Sequence, residues 1–148
     1  MSNAAKIPYE VTHLVRDTCL CLHVQRAART LARRFDEALR PFDLTNGQFS
    51  LLMSLNRPDP PAMADVASLL AMDRTTLTAA LKVLEGRGLV NIQPDGADRR
   101  SRRLTLTQRG RTQLSRAIPI WEHTHHEVEA VLPRGDPSRL RKNLRALA

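Results

Sequence analysis

The sequence predicts a mostly α-helical fold with one small β-hairpin. Three observations predict it. From Thr12 to Leu39 there is neither Pro nor Gly, and apolar residues recur at helical spacing. Two shorter helical patterns, Met63 to Ala71 and Arg74 to Arg87, are separated only by a turn at Met72-Asp73. Two β-type runs, Leu89 to Gln93 and Arg103 to Thr107, then enclose a basic, turn-rich stretch that begins Pro94-Asp95-Gly96.

Taken in order, residues 1–9 read as a loose N-terminal arm ending near Pro8. The long helical stretch to Leu39 carries two apolar stripes. One runs through Val11, Leu14, Val15, Thr18, Leu22, Gln25, Ala28, Ala32, Phe35 and Leu39, and the other through Leu20, Val24, Ala27, Leu31 and Ala38. A helix apolar on two faces must be covered on both, by its own chain on one side and most simply by a second copy on the other. A central helix within one chain is the alternative. Pro41 ends this helix. Thr45-Asn46-Gly47-Gln48 reads as a capping box that starts a short amphipathic helix with Phe49, Leu52, Met53 and Leu55. After the stiff Arg57-Pro58-Asp59-Pro60-Pro61 loop, the helix from Met63 turns Val66, Ala67 and Leu70 inward. Asp73 is the expected N-cap of the next helix, whose apolar stripe is Leu77, Leu81 and Leu84. Thr107 is placed to cap a helix running to about Leu132, with Pro119 expected to kink it. A final short helix, Ser138 to Leu147, is expected to place Leu140, Leu144 and Leu147 on a core face.

The chain has 148 residues, one domain's worth, and can bury a core without disulfides or structural metal. Lys and Arg number 23 against 15 Asp and Glu, a net charge of +8. Hydrophobic residues make up 42%, so the chain is not broadly disordered. No apolar run approaches the roughly 18 residues of a membrane span. The first residues lack an apolar signal core, so export is not expected. The two cysteines, Cys19 and Cys21, are too close in sequence to pair easily on a regular element, and a reduced cytoplasm is the simplest setting. The excess of positive charge points to a polyanion, nucleic acid or an anionic membrane surface.

The pattern helix, turn, helix, basic hairpin defines a winged helix-turn-helix with N- and C-terminal dimerisation helices. Residues 10–40 and 108–148 read as the dimerisation helices, and 41–107 as the DNA-binding domain. The major groove of duplex DNA admits one α-helix. The second helix of the pair carries Arg74, Thr75, Thr76, Thr78 and Lys82, side chains suited to base edges and phosphates. The hairpin carries Asp98, Arg99, Arg100, Arg102 and Arg103, and arginines on a narrow β tip suit the minor groove. Between Ala97 and Arg116 there are seven Arg and a single acid, an asymmetry more telling than the overall charge.

The stretch from Val66 to Val90 resembles the reading head of the MarR family, the multiple-antibiotic-resistance type of bacterial transcriptional regulators. The run Asp98-Arg99-Arg100, with Leu104-Thr105-Leu106-Thr107 and Gly110, is similar to that family's wing signature. The resemblance covers about residues 10 to 147. It implies a homodimer on a roughly palindromic double-stranded operator, usually acting as a repressor. It also implies that Arg100 is the minor-groove residue and that Asp98 orients it by ion pairing. Asn91 and Ala79 stand where the family often has Arg and a longer polar residue, so base preference does not carry over.

Cys21 and Arg29 also resemble the peroxide-sensing branch of that family, which activates its thiolate through tyrosines on the following helix. Here that helix begins Asn46-Gly47-Gln48-Phe49, and the single Tyr is Tyr9. The expected role of both cysteines is packing, with Cys21 on a packed face, so hydroperoxide is not expected to release DNA. A redox-sensing regulator using Cys19 or Cys21 stays as the alternative, and Cys19 with His23 as a metal pair. His123, His125 and His126 with Glu122, Glu127 and Glu129 offer two metal ligands per face at best, fewer than a zinc site needs. No phosphate-binding Gly loop, nucleophile elbow or His-Glu-x-x-His motif is present, so neither an enzyme nor a cofactor is expected. The basic last helix (Arg139, Arg141, Lys142, Arg145) has too short an apolar face for membrane binding.

The expectation is therefore a homodimeric, sequence-specific regulator whose two reading helices fit major grooves about one helical turn apart. The resemblance implies a small, often aromatic or phenolic effector, which would alter that separation. Leu22, Phe49, Met53 and Trp121 are the candidate crevice residues. A winged-helix protein-interaction module without specific DNA binding and an architectural DNA binder are the competing classes.

Overall fold

The computed structural model describes residues 5–133 and 135–148, so the first four residues of the expected arm and Arg134 lie outside it. The chain divides into two units, residues 1–34 and 35–148.

In the first unit, residues 5–8 lead into α1 (Tyr9–Thr18), and α2 (Leu20–Leu39) starts two residues after α1 ends. The single uninterrupted helix expected here is thus two. Cys19 adopts an extended backbone (φ −71°, ψ 106°). Two side chains bond to the backbone at this break. The Thr18 hydroxyl donates to the Leu14 carbonyl at 2.6 Å, and the Leu22 N–H points to the Cys19 sulfur at 3.5 Å, where an N-cap acceptor would sit. Val11, Leu14, Val15, Leu20, Val24 and Leu31 are all exposed.

The second unit takes over α2 at Phe35 and places Leu39 fully in the core. Pro41 cannot continue an α-helix, and the chain tightens into a 3-10 turn, Arg40–Phe42. Asp43 follows in the left-handed region (φ 53°) and redirects the chain. Thr45 then caps α3 (Asn46–Ser54) with the expected box. Its hydroxyl accepts from Gln48 N–H, and the Gln48 side chain accepts from Thr45 N–H, each at 3.1 Å.

Asp65 reaches back to Ala62 N–H at 3.3 Å to start α4 (Met63–Leu70), which ends at Ala71 in the left-handed region. Asp73 caps α5 (Arg74–Gly86), and Gly88 (φ 70°) makes the turn that leads into β1 (Val90–Pro94). β1 pairs antiparallel with β2 (Arg102–Leu106), with Val90 opposite Leu106 and Ile92 opposite Leu104. Both strands are offset by about one residue from the sequence expectation.

Thr107 caps α6 (Gln108–Ala130), accepting from Gly110 N–H at 2.9 Å, and α6 runs through Pro119 as one element. The core gathers one stripe from each of α3, α4, α5 and α6: Leu51 and Leu52, Val66, the α5 trio Leu77, Leu81 and Leu84, Leu114 and Ala117, closed by Leu89 and Leu104 at the hairpin base. α7 (Pro137–Arg145) differs from expectation. It buries no residue, and Leu140, Leu144 and Leu147 are exposed.

Candidate nucleic-acid interface

The recognition surface begins at Asp73. Its carboxylate accepts from Thr76 N–H at 2.8 Å and from the Thr76 hydroxyl at 2.7 Å. Those bonds, the hydroxyl's first, hold the Asp73 carboxyl below the ordinary Asp range. Thr76 is thereby committed to the cap rather than presented outward. With Leu77, Leu81 and Leu84 buried, the opposite face of α5 is exposed. Arg74, Thr75, Thr78, Ala79 and Lys82 line one shallow groove there. Thr78 spends its hydroxyl proton on the Arg74 carbonyl at 2.7 Å, which leaves its oxygen lone pairs and methyl to the groove.

The wing adds the second half. Arg74, Asp98, Arg100, Ser101 and Arg102 surround a cleft of about 340 Å³ floored by Met63 and Ala64. Helix and wing residues predicted separately thus meet around Arg74. Asp98 acts differently from the expected ion pair. Its carboxylate accepts from the Arg100 backbone N–H at 2.9 Å, an Asx-type turn that shapes the tip and leaves the guanidinium outward. Arg99 is exposed on the same tip, and its carbonyl accepts from Arg102 at 3.5 Å. Arg103, the fourth hairpin arginine, turns away from this set and bonds to the Pro60 carbonyl and Asp95. The sequence signals only its charge, and Met63 gives no polar signal at all.

A second concavity, about 480 Å³, lies between α3, α4 and α6. Phe49, Met53, Leu69, Leu70, Ile118 and Trp121 make its apolar wall, with Glu122 at the rim. Phe49 and Trp121 stack at 5.8 Å and 16°, and His125 meets the Trp121 ring edge-on at 4.8 Å. Three of the four expected crevice residues therefore share one cavity, while Leu22 lies in the N-terminal unit.

Cys21 is exposed rather than on a packed face, and Gln25 Nε2 approaches its sulfur at 3.1 Å. His23 contacts the Cys19 carbonyl at 2.8 Å and not the sulfur. His123 and His125 face Glu127 and Glu129 at 3.5 and 3.6 Å. Among the described residues no cluster of three or more metal-ligating side chains occurs, and no helix is long and apolar enough to cross a membrane.

Fold and surface together define a winged helix-turn-helix protein with a cationic reading face. Residues 44–101 match the family model described as MarR family. The chain is 40% identical to the M. tuberculosis transcriptional regulator MosR, solved in complex with DNA, with a TM-score of 0.79 over 87% of this chain and 92% of that one. It is 33% identical over 114 residues to the HTH-type transcriptional repressor NicR of Pseudomonas putida, covering 76% of this chain and 68% of NicR. With the HTH-type transcriptional regulator TtmR of Methylorubrum extorquens the identity is 34% over 95 residues, 64% of this chain, and the chain spans about half (49%) of TtmR's length. The chain belongs to the MarR family of DNA-binding transcriptional regulators.

Proposed function

We propose that this protein is a homodimeric repressor that grips double-stranded operator DNA with α5 and the wing and is released by a small apolar effector. The observation that carries the reading is the cleft where Arg74 of α5 meets Asp98, Arg100 and Arg102 of the wing. One compact unit there offers a helix face for the major groove and an arginine tip for the minor groove. Arg74, Thr75, Thr78 and Lys82 read or anchor in the major groove, and Arg99, Arg100 and Arg102 engage the minor groove and its phosphates. Thr76 and Asp98 keep those donors in place. Residues 41–107 form the reading domain, and 10–40 with 108–148 the dimerisation helices.

Two sets of exposed apolar residues support the dimer: Leu14, Leu20 and Leu31 in the N-terminal unit, and Leu140 and Leu144 of α7 with Leu147 just after it. A second copy covers them at no cost in exposed polar backbone. Sedimentation should give twice the chain mass, and a stable monomer lacking residues 1–39 would contradict the dimer. The DNA reading is tested by competing random against selected duplexes while salt is varied. Tight, sequence-selective binding whose log–log salt slope is about −0.9 per neutralised phosphate is expected. A flat salt response would favour a protein-interaction module.

The effector reading rests on the Phe49–Trp121 cavity, whose walls suit a flat apolar ring. Trp121 is the single tryptophan, so its fluorescence reports occupancy directly. A panel of small aromatics should quench it and lower DNA affinity together.

A second reading is favoured by the helix break. Cys19 sits at the break, immediately before the 20-residue α2, and Cys21 is open to solvent. An organic hydroperoxide would then transfer its terminal oxygen to the thiolate, giving a sulfenic acid and the alcohol. DNA release by cumene hydroperoxide in the wild type, lost in Cys19→Ser or Cys21→Ser, would establish redox control. Retention of DNA leaves the effector reading alone.

A further inference from the structure

The wing is a two-stranded ribbon of five-residue strands, and such a ribbon is marginal unless something braces it. Its base is held by the buried Leu104 side chain, the Leu104 N–H donating to the Pro61 carbonyl at 3.2 Å, and a single bridge between Ala62 and Arg103. Above the base, Arg103 makes the polar ties. Its Nη1 donates to the Pro60 carbonyl at 2.9 Å and its Nε to the Asp95 carboxylate at 3.0 Å. The other Asp95 oxygen accepts from Ala97 N–H at 3.0 Å, and Asp95 N–H donates to the Ser101 carbonyl at 3.0 Å. The Asp95 side chain is only 13% exposed and the Arg103 side chain 44%. The anchor is stiff, because Pro58, Pro60 and Pro61 restrict the loop before α4. A continuous chain of bonds thus runs from that loop through Arg103 and Asp95 to both ends of the turn that carries Arg99 and Arg100.

We infer that Arg103 and Asp95 are positioning residues for DNA recognition: together they lock the wing to the Pro58–Pro61 loop and set where the tip arginines stand relative to α5. Arg103 is therefore not one of the phosphate contacts its charge suggests. The inference rests on the reading that the wing engages DNA. Its chemistry depends on the guanidinium fork, since one planar group serves a carboxylate and a carbonyl at once, and an ammonium on a flexible stem cannot hold both.

Charge and geometry predict opposite signs for one substitution. If electrostatics alone mattered, Asp95→Asn would remove a negative charge near the phosphates and tighten binding. Under the clamp it loosens the tip and weakens specific binding, by about tenfold, the size of one charge-assisted hydrogen bond. Arg103→Lys keeps the charge and should weaken binding similarly, and the double variant should be no worse than either single one. The salt slope should fall in all three by no more than it does in Arg100→Ala, because Arg103 itself contacts no phosphate.

The experiment titrates full-length wild type, Asp95→Asn, Arg103→Lys, the double variant and Arg100→Ala against a duplex selected by the wild type and a random duplex, with thermal melts alongside. Asp95→Asn binding as tightly as wild type or tighter, or Arg103→Lys binding like wild type, overturns the clamp. If one variant fails to fold, the other still decides. If Arg100→Ala also binds like wild type, the wing reading itself falls; if Arg100→Ala alone weakens binding, only the clamp falls.

Discussion

Arg87 and Asp43 join two distant parts of the reading head. The Arg87 guanidinium, at the C-terminal end of α5, donates to the Asp43 carboxylate at 2.8 Å and to the Asp43 carbonyl at 2.6 Å, and also to Gln48 Oε1 at 3.2 Å. Gln48 is itself half of the capping box of α3. The far end of the recognition helix is thereby tied to the left-handed turn at Asp43 and to the start of α3. The Asp43 side chain is 90% exposed and the Arg87 side chain 26%, so the carboxylate contact is screened and the carbonyl contact counts for more.

Arg87→Ala should lower stability by about 1–2 kcal/mol, read as a fall in urea midpoint with an unchanged slope. Asp43→Ala should cost less than Arg87→Ala, because the carbonyl bond survives it and only the screened ion pair is lost.

Gly110→Ala should cost about 3 kcal/mol or prevent folding. A Cβ at Gly110 would overlap the Leu89 backbone carbonyl, and the obstacle is main chain rather than a side chain that can rotate away. A melting temperature within a degree or two of wild type would contradict this close approach. Gly86→Ala, with open space around its position, should be tolerated and serves as the control.

Acid should loosen both the start of α5 and the wing tip. The Thr76 hydroxyl and N–H hold the Asp73 carboxyl below its ordinary value, and Ala97 N–H and then Arg103 do the same for Asp95. A carboxyl depressed in the folded state stabilises above its unfolded pKa, and loses that contribution as pH falls through the folded one. These two groups should therefore add no pH dependence near neutrality and a decline below about pH 4. Asp73→Asn keeps the cap without the charge, so urea midpoints measured against pH should fall less steeply in that variant.

Arg100→Ala should weaken binding to a selected duplex by about 1–3 kcal/mol while leaving the melt unchanged. Arg141→Ala removes an ion pair to Glu129 on α6, away from the reading face, and should leave DNA affinity nearly intact. Equal losses in a band-shift titration would remove Arg100 from the reading element.

By itself the sequence determined α3 to α6 and the caps that start three of them. Thr45, Asp73 and Thr107 are side-chain acceptors next to chain ends that need them, and Leu77, Leu81 and Leu84 recur at the helical period, so short-range chemistry names both boundaries and the buried side. Only the tertiary structure decided which charged groups face outward and which serve as braces. Arg100 and Arg103 are the same residue type three positions apart on one hairpin, yet one guanidinium is free at the tip and the other is spent on Asp95 and a carbonyl at Pro60. A charge carries no record of its partner in the local sequence. When that partner is 43 residues away, as Pro60 is from Arg103, it exists only once packing has brought the two segments together.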